Sequence, residues 1–267
     1  MRVTALNCGS GRPVGCLLRA MPNEIVCRCL LIESGADLTL VDTGLGLRDV
    51  RDPRRLGPAR FSLGLSLREE ETAHVQITRL GHDPRSVRSV VLTHLDLDHV
   101  GGLADFPDAQ VHVFAAEAGA ATRRATLKER SRYRPAQLGD TSRWILYDDP
   151  EPDSWFGFPS TPVSASPSLT IRLVCLPGHT RGHCGVAIRT GQSWLLHAGD
   201  SYYSHSELDP ATDSLLLALF RRVIHVDPRA AGRTLDALRR LRERHADEVE
   251  MFCSHDPREI IRALESR

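Results

Sequence analysis

The stretch Thr93-His94-Leu95-Asp96-Leu97-Asp98-His99 decides how this chain is interpreted. It follows the apolar run Val90-Val91-Leu92 and leads directly into Val100-Gly101-Gly102. Two imidazoles and two carboxylates so close together are costly at the end of a strand, because buried polar side chains need pairing or a metal. Histidine and aspartate together suit Zn, Fe or Mn. The stretch therefore predicts a metal site at the mouth of a sheet.

The composition is that of an ordinary globular protein, with 41% apolar and 25% charged residues in 267. This length can bury a substantial core, and we expect one domain spanning residues 1–267. The formal net charge is zero, which predicts neither a nucleic-acid partner nor a membrane surface. The N-terminus lacks the apolar core of a signal peptide, so we expect a cytoplasmic protein. Cys27 and Cys29 alternate within a predicted strand, which favours packing over ligation.

Apolar segments bounded by turn residues predict β-strands along the chain. Helical spacing of apolar residues predicts helices from Glu69, near 214–223 and around Leu235, with a short helix closing the chain. Residues 46–68, rich in Arg, Pro and Gly, predict a surface loop with little regular structure, and residues 122–168 predict an insertion or cap over a site. The predicted strands are 3–6, 25–33, 38–41, 89–92, 111–114, 171–176, 186–188, 194–197 and 249–253.

A recurrent pattern links distant parts of the chain. An apolar strand ends and a His or Asp follows at its exit, at His94 with its cluster and again at His179, Asp200 and His255. One such residue is usually a cap or a solvated turn. Loops at one end of packed sheets are where binding sites are built, so the recurrence predicts that these residues meet in a single site.

The series His-x-Asp-x-Asp-His, Gly-His179, Gly-Asp200 and Ser-His255 resembles the ligand series of the metallo-β-lactamase-fold superfamily. The similarity runs from Asp42-Thr43-Gly44, which is a supporting element beside the ligands in that superfamily, to His255. The resemblance implies an α/β fold, an αββα sandwich of two mixed β-sheets flanked by helices. It also implies a dinuclear metal hydrolase that acts on a small molecule, and it leaves a homodimer open.

The resemblance assigns roles position by position. Two metals about 3.5–4 Å apart would share a hydroxide, whose parent water has its pKa lowered toward roughly 7, and this hydroxide would attack a carbonyl or phosphorus centre. Asp98 would also pass a proton to the departing alkoxide. By resemblance, one metal is held by His94, Asp96 and His179, the other by Asp98, His99 and His255, and Asp200 bridges them.

The chain departs from the superfamily's HxHxDH motif at one position, where Asp96 replaces the second His. The superfamily implies zinc, whereas a carboxylate makes the site harder and favours iron or manganese. A third alternative is a non-hydrolytic diiron or oxygen-sensing protein, because such proteins of this fold carry Glu at the corresponding place. A reductase of that kind needs a flavin domain, and we do not expect one within these 267 residues.

The segment Asp200-Ser201-Tyr202-Tyr203 resembles N-acyl homoserine lactonases, in which a Tyr three residues after the bridging Asp faces the substrate carbonyl. Tyr203 has this offset, and its hydroxyl would donate to the oxyanion or the leaving oxygen. Packing of Tyr203 under the cap is the alternative. The leading function is therefore hydrolysis of a lactone or carboxylic ester, with a thioesterase or phosphodiesterase on the same scaffold as the alternative. His183 is expected to support the backbone rather than bind metal.

Overall fold

Long apolar runs build two β-sheets in the computed structural model, which describes residues 1–14, 24–35, 37–148, 150–259 and 264–265. The strands of the first sheet are β1 (Arg2–Gly11), β2 (Ile25–Ser34), β3 (Asp37–Val41), β4 (Leu65–Ser66), β5 (Val87–Val91), β6 (Gln110–Phe114), β7 (Trp144–Tyr147) and β14 (Leu264–Glu265). The strands of the second are β8 (Glu151–Trp155), β9 (Phe158–Val163), β10 (Ile171–Cys175), β11 (Cys184–Thr190), β12 (Ser193–His197) and β13 (Val249–Phe252).

Both sheets are mixed. The first has the order β14-β1-β2-β3-β5-β6-β7, with β4 paired to β1, and β3, β5, β6 and β7 run parallel. The second has the order β13-β12-β11-β10-β9-β8 and is antiparallel except where β12 and β13 run parallel. The expected class, two mixed sheets flanked by helices, is confirmed.

Helices occupy the segments between the strands. They are α1 (Leu47–Arg51), α2 (Ala59–Leu63), α3 (Ala73–Arg79), α4 (Leu97–Val100), α5 (Ala115–Arg123), α6 (Leu127–Arg132), α7 (Pro135–Leu138), α8 (Leu215–Ile224) and α9 (Pro228–Arg244). Among the described residues, no helix is both long and apolar enough to cross a bilayer.

Side chains alternate between the two faces of each strand, and this divides the core into layers. In β2, Leu30 and Ile32 pack in the cluster between the sheets, while Cys29 and Leu31 pack on the opposite face. Successive side chains of a strand point to opposite faces, so a strand that is apolar throughout can serve two layers at once. On the outer face of the second sheet, Leu238 of α9 packs in a third cluster. These layers fix the strand ends that carry the polar motifs.

Two sequence expectations differ from the structure. Residues 46–68 are not an irregular loop, because they contain α1, the 3-10 turn Pro53–Leu56 and α2, and Leu56 is fully buried. Short helices with a single buried anchor leave no periodic apolar pattern to detect. The segment 122–168 is also not one insertion, since β7, β8 and β9 within it are integral strands. The expected closing helix falls mostly outside the described residues, and Leu264–Glu265 pairs with β1 as a strand.

Gly44, which follows β3, packs closely against its neighbours, and Gly35, in the turn before β3, provides a matched control. Both have left-handed φ angles, +61° and +65°. A Cβ on Gly44 would lie 2.2 Å from Cys8 Cβ, whereas one on Gly35 meets nothing within 4 Å. We expect Gly35→Ala to cost about 1 kcal/mol and Gly44→Ala about 3 kcal/mol or more, because strain and overpacking add. Urea unfolding measures both, and equal losses would contradict the close approach.

Candidate metal centre

The predicted ligands meet at one edge of the sandwich. His94 follows β5, His179 follows β10, Asp200 follows β12 and His255 follows β13. Their side chains are buried, as are those of Asp96, Asp98 and His99 in and beside α4. The structure thus brings all seven residues of the predicted ligand series together.

Asp200 lies at the centre of this group. Its Oδ2 is 3.1 Å from His255 Nε2, 3.6 Å from His179 Nε2 and 3.9 Å from His94 Nε2. Its Oδ1 is 3.4 Å from His99 Nε2. Ligand atoms around a four-coordinate metal with bonds of about 2.0–2.2 Å are roughly 3.4 Å apart. The two oxygens of Asp200 therefore face different imidazoles, as those of a bridging carboxylate would.

The remaining carboxylates lie on either side of Asp200. Asp96 Oδ2 is 2.9 Å from His179 Nε2 and 3.5 Å from His94 Nε2, and Asp98 Oδ2 is 3.7 Å from His255 Nε2. Residue 96 thus lies where the resemblance requires a ligand, although it is a carboxylate.

Unpartnered buried atoms test whether this donor set fits a cation. Within the described residues, His94 Nε2, His99 Nε2, Asp96 Oδ1 and Asp200 Oδ1 are buried and have no hydrogen-bond partner. Each buried polar atom without a partner lowers the stability of the fold by about 1–3 kcal/mol. Four such atoms in one cluster therefore indicate a shared ligand. Imidazole nitrogens and carboxylate oxygens are ligands of Zn, Fe and Mn. The residues therefore fit divalent metal ions.

Backbone and carboxylate acceptors orient the imidazoles of His99 and His255. His99 Nδ1 donates to Asp42 Oδ2 at 2.8 Å, and His255 Nδ1 donates to Val26 O at 2.7 Å. Asp42, at φ 55°, also accepts from the amide and the hydroxyl of Thr93. A proton fixed on Nδ1 leaves the Nε2 lone pair pointing at the site. Asp42 therefore sets the tautomer of the predicted ligand His99.

His94 and His179 are oriented in the same way. His94 Nδ1 lies 3.0 Å from Thr93 Oγ1, and His179 Nδ1 lies 3.0 Å from the Tyr203 hydroxyl and 3.2 Å from His225 Nδ1. His179 Nε2 lies 2.6 Å from a guanidinium nitrogen of Arg132 and 2.9 Å from Asp96 Oδ2. A metal on Nε2 requires the proton of this imidazole to be on Nδ1, where the Tyr203 oxygen can accept it. Tyr203 thus supports a predicted ligand at the floor of the site.

Burial and mutual charge explain the protonation of the cluster. Burial lowers the pKa of His94 and of His179 well below the usual range, and neighbouring His99 or Arg132 lowers it further. Burial alone would raise the pKa of Asp200, but His255 and His99 hold it well below its usual range. These shifts favour neutral His94 and His179 and an ionised Asp200, the forms that bind a metal. Burial would also lower the pKa of His99, but Asp200 and Asp98 raise it to about 10.

Glu117 is a buried carboxylate that the sequence reasoning missed. It accepts from Leu95 N–H at 3.1 Å, Gly182 N–H at 3.0 Å and the Tyr133 hydroxyl at 3.1 Å. One side chain thus joins the motif loop, the loop after His179 and the segment after α6. Burial raises the pKa of Glu117. In the sequence it is a lone acid in an Ala-rich helix, which gives no signal of this role.

Cys27 and Arg132 were also missed. The Cys27 thiol, expected only to pack, has its sulfur within 4.8 Å of ligand atoms of Asp98 and His255. Arg132 donates to Asp96 Oδ2, and its Nη1 is 2.6 Å from His179 Nε2. Strand register places Cys27, and the tertiary position of α6 places Arg132, so neither contact could be inferred from local sequence.

His183 is excluded as a ligand by its own hydrogen bonds. Its Nδ1 donates to Leu176 O at 2.8 Å, and its Nε2 accepts from the Asp200 amide at 3.0 Å. With both nitrogens engaged, the ring supports the loop that carries Asp200, in agreement with the sequence expectation.

A cavity of about 900 Å³ opens onto the centre. Asp96, Asp98, His179, Asp200, Tyr203 and His255 line its floor, while Leu63, Leu97, Leu127, Phe220, Val223 and Ile224 are among its apolar lining residues. Part of this lining comes from α6 and its flanks, the only stretch of 122–168 that is found there among the described residues. The metal-binding atoms thus lie at the base of a largely apolar pocket.

The orientation of His99 can be tested at Asp42. Asp42→Asn keeps the shape but replaces one acceptor of the His99 and Thr93 bonds with a donor. We expect zinc affinity to fall by about 10–100-fold, because partners of ligand imidazoles tune metal binding by that amount. Competition with a chromogenic chelator measures the affinity. Asp52→Asn, at a carboxylate 43% exposed, is the control, and equal affinities for both variants would contradict the role of Asp42.

Comparisons with known proteins agree with this geometry. A family model described as metallo-beta-lactamase superfamily matches residues 22–245. A "probable metallo-hydrolase" of Mycobacterium tuberculosis is 37% identical over 258 residues, covering 96% of this chain and 81% of the relative. The N-acyl homoserine lactonase AttM of Azorhizobium caulinodans is 28% identical over 243 residues, covering 88% of this chain and 83% of the relative.

Solved structures show the same fold at lower identity. An N-acyl homoserine lactone hydrolase with N-hexanoyl-L-homoserine at its catalytic metal centre has a TM-score of 0.70 and 19% identity, covering 96% of this chain and 93% of that one. The dizinc quorum-quenching lactonase AidC has a TM-score of 0.60 and 16% identity, covering 96% and 88%. The chain therefore belongs to the metallo-β-lactamase superfamily and is one of its metallo-hydrolases.

Proposed function

We propose that the protein hydrolyses a lactone or simple carboxylic ester with an apolar substituent, using two divalent metal ions. The observation that carries the proposal is the central position of Asp200, whose two oxygens face different imidazoles. His94, Asp96 and His179 would hold one ion, and Asp98, His99 and His255 the other. We propose zinc as the first metal to test, because the superfamily implies it. Iron and manganese are the alternatives, because the carboxylate of Asp96 is a harder ligand than an imidazole.

The metals would supply a hydroxide at neutral pH and charge stabilisation for an oxyanion. The chain's own residues would supply the proton transfers. Asp98 lines the cavity floor, where a carboxylate can hold a proton and release it to a departing alkoxide. Tyr203 accepts from His179, so its own hydroxyl hydrogen can turn toward a substrate oxygen. This supports positioning of a carbonyl between Tyr203 and the metal-binding atoms.

The shape and lining of the cavity support an ester with an apolar part. Its volume of about 900 Å³ is ample for a small molecule, and apolar side chains of α6, α8 and the segment around Leu63 form its sides. The lactonase relatives and the structure with bound N-hexanoyl-L-homoserine make acylated lactones the first substrates to test. Thioesters and phosphodiesters belong in the same screen. The hydrolase relatives do not favour the oxygen-sensing alternative.

Substitution of the bridging and metal-binding positions tests the proposal directly. We expect Asp200→Ala and His179→Ala each to lower lactone hydrolysis by at least about a hundredfold and to lower bound metal, because each removes a metal ligand. Metal analysis of the purified variants and a lactone hydrolysis assay provide the measurements. His205→Ala is the control, since that side chain is 46% exposed and pairs with Asp256. Retained metal and activity in either site variant would refute the dinuclear hydrolase.

Tyr203→Phe separates a catalytic hydroxyl from a packing ring. The ring lies against Phe220 and His255, and Phe preserves that packing. With saturating metal in the assay, we expect kcat on lactones to fall by about 10–100-fold with folding unchanged, because a donor to the developing oxyanion is lost. His179 Nδ1 keeps His225 Nδ1 as a neighbour at 3.2 Å, so the metal should be retained. Steady-state kinetics and metal analysis check this. An unchanged kcat would assign Tyr203 to packing and to support of His179.

A further inference from the structure

We infer that Arg132 is the built-in counter-charge of Asp96, and that the two residues together replace the neutral histidine of the related motif. The inference rests on the metal centre of the proposed function. It gives Arg132 a positioning role, acting on the metal centre through Asp96.

The contacts of Arg132 are those of a buried ion pair. Its guanidinium donates to Asp96 Oδ2 and, through Nη2, to Ile224 O at 2.6 Å. The Arg132 side chain is 6% exposed and that of Asp96 is 13% exposed. Asp96 Oδ1 has no hydrogen-bond partner within the described residues. Arg132 therefore pairs with the same carboxylate oxygen that faces His94 and His179, and the second oxygen is buried without a partner in the part of the chain that the structure describes.

The segment around Arg132 is anchored before it reaches Asp96. Lys128, one turn earlier in α6, donates to Val223 O at 2.8 Å and to His225 O at 2.7 Å. Together with the Arg132 bond to Ile224 O, the three consecutive carbonyls at the end of α8 each receive a cationic donor. Cations are favourable at a helix C-terminus. Arg132 is thus pre-positioned by α6 and α8.

Asp96 and Arg132 together leave the net charge of the centre unchanged. A neutral histidine at position 96 adds no charge to the centre, whereas an aspartate adds one negative charge. Asp96 with Arg132 again adds none, so the charge surrounding the predicted metals is unchanged although the ligand type differs. Removing one partner of a buried pair leaves the other charge uncompensated, which is expensive. Asp96 and Arg132 should therefore be replaceable together and not separately.

The contact with His179 limits what Arg132 can do. His179 Nε2 has one lone pair, and it accepts from Arg132 Nη1 at 2.6 Å. That lone pair can serve the guanidinium or a metal, but not both. When His179 binds a metal, the guanidinium keeps Asp96 and Ile224 O as partners. Its persistent role is therefore with Asp96.

A double-mutant cycle tests the inference on the whole protein. Wild type, Asp96→His, Arg132→Met and the double variant are prepared metal-free, and zinc affinity is measured by chelator competition. With Arg132 present, we expect Asp96→His to lower affinity by at least about tenfold, because an unpaired guanidinium then repels the metals. The double variant carries neither charge of the pair, and in wild type the two charges cancel, so it should bind zinc within about threefold of wild type. Thermal unfolding of the metal-free proteins should show the double variant more stable than Arg132→Met.

Two further variants distinguish the effect of the Arg132 charge from an effect on the structure of α6. Arg132→Lys keeps the charge and should preserve the large penalty of Asp96→His. Arg130→Met, at an exposed residue of the same helix that also lines the cavity, should leave that penalty unchanged.

A double variant that binds zinc no better than Asp96→His, within about twofold, would overturn the inference, because removal of the uncompensated guanidinium would then restore nothing. Failure of both Arg132→Met and the double variant to fold would also overturn it, since a counter-charge is dispensable once Asp96 is replaced. A wild type that binds no zinc, iron or manganese would instead refute the proposed function itself.

Discussion

The constraint on which this structure depends is the burial of three carboxylates and four imidazoles at one edge of the sandwich. Such a cluster is unfavourable unless the groups compensate one another or share a cation. Asp200 carries much of that compensation, because its oxygens lie 3.1–3.9 Å from the Nε2 atoms of all four imidazoles. The scaffold must hold this arrangement against its own repulsion, and this requirement explains the dense packing around it.

Two devices hold the cluster in place. The first is the close approach of Gly44, at the end of β3, to Cys8 and to the helix that follows the motif, where Gly102 N–H donates to Gly44 O. Only a residue without a side chain allows that contact. The second is Glu117, which accepts hydrogen bonds from the motif loop and from the loop after His179. The ligands thus come from separate strands, but their loops are fastened to one another.

The sequence predicted the fold class and the set of clustered residues because both depend on local patterns. Apolar strands ending in His or Asp are visible without coordinates, and β12 into Asp200 is an example. The contacts of Cys27, Glu117 and Arg132 were not predictable in that way. Each depends on the tertiary position of an element whose own sequence is unremarkable: the register of β2, the docking of α5 and the packing of α6 against α8. Short helices in 46–68 were missed for a related reason, since Leu56 is buried without a periodic pattern.

In the proposed metal centre, Asp96 in place of histidine is a change of ligand type. A carboxylate is harder than an imidazole and brings a charge, so the change alone would alter both metal preference and the field at the metals. Helix α6, which lines part of the cavity, also supplies Arg132, which pairs with that carboxylate. The lining of the pocket and the charge beside Asp96 therefore depend on the same helix. A change at Arg132 would alter both the lining of the pocket and the charge beside Asp96, whereas a change at Arg130 of the same helix would alter the lining alone.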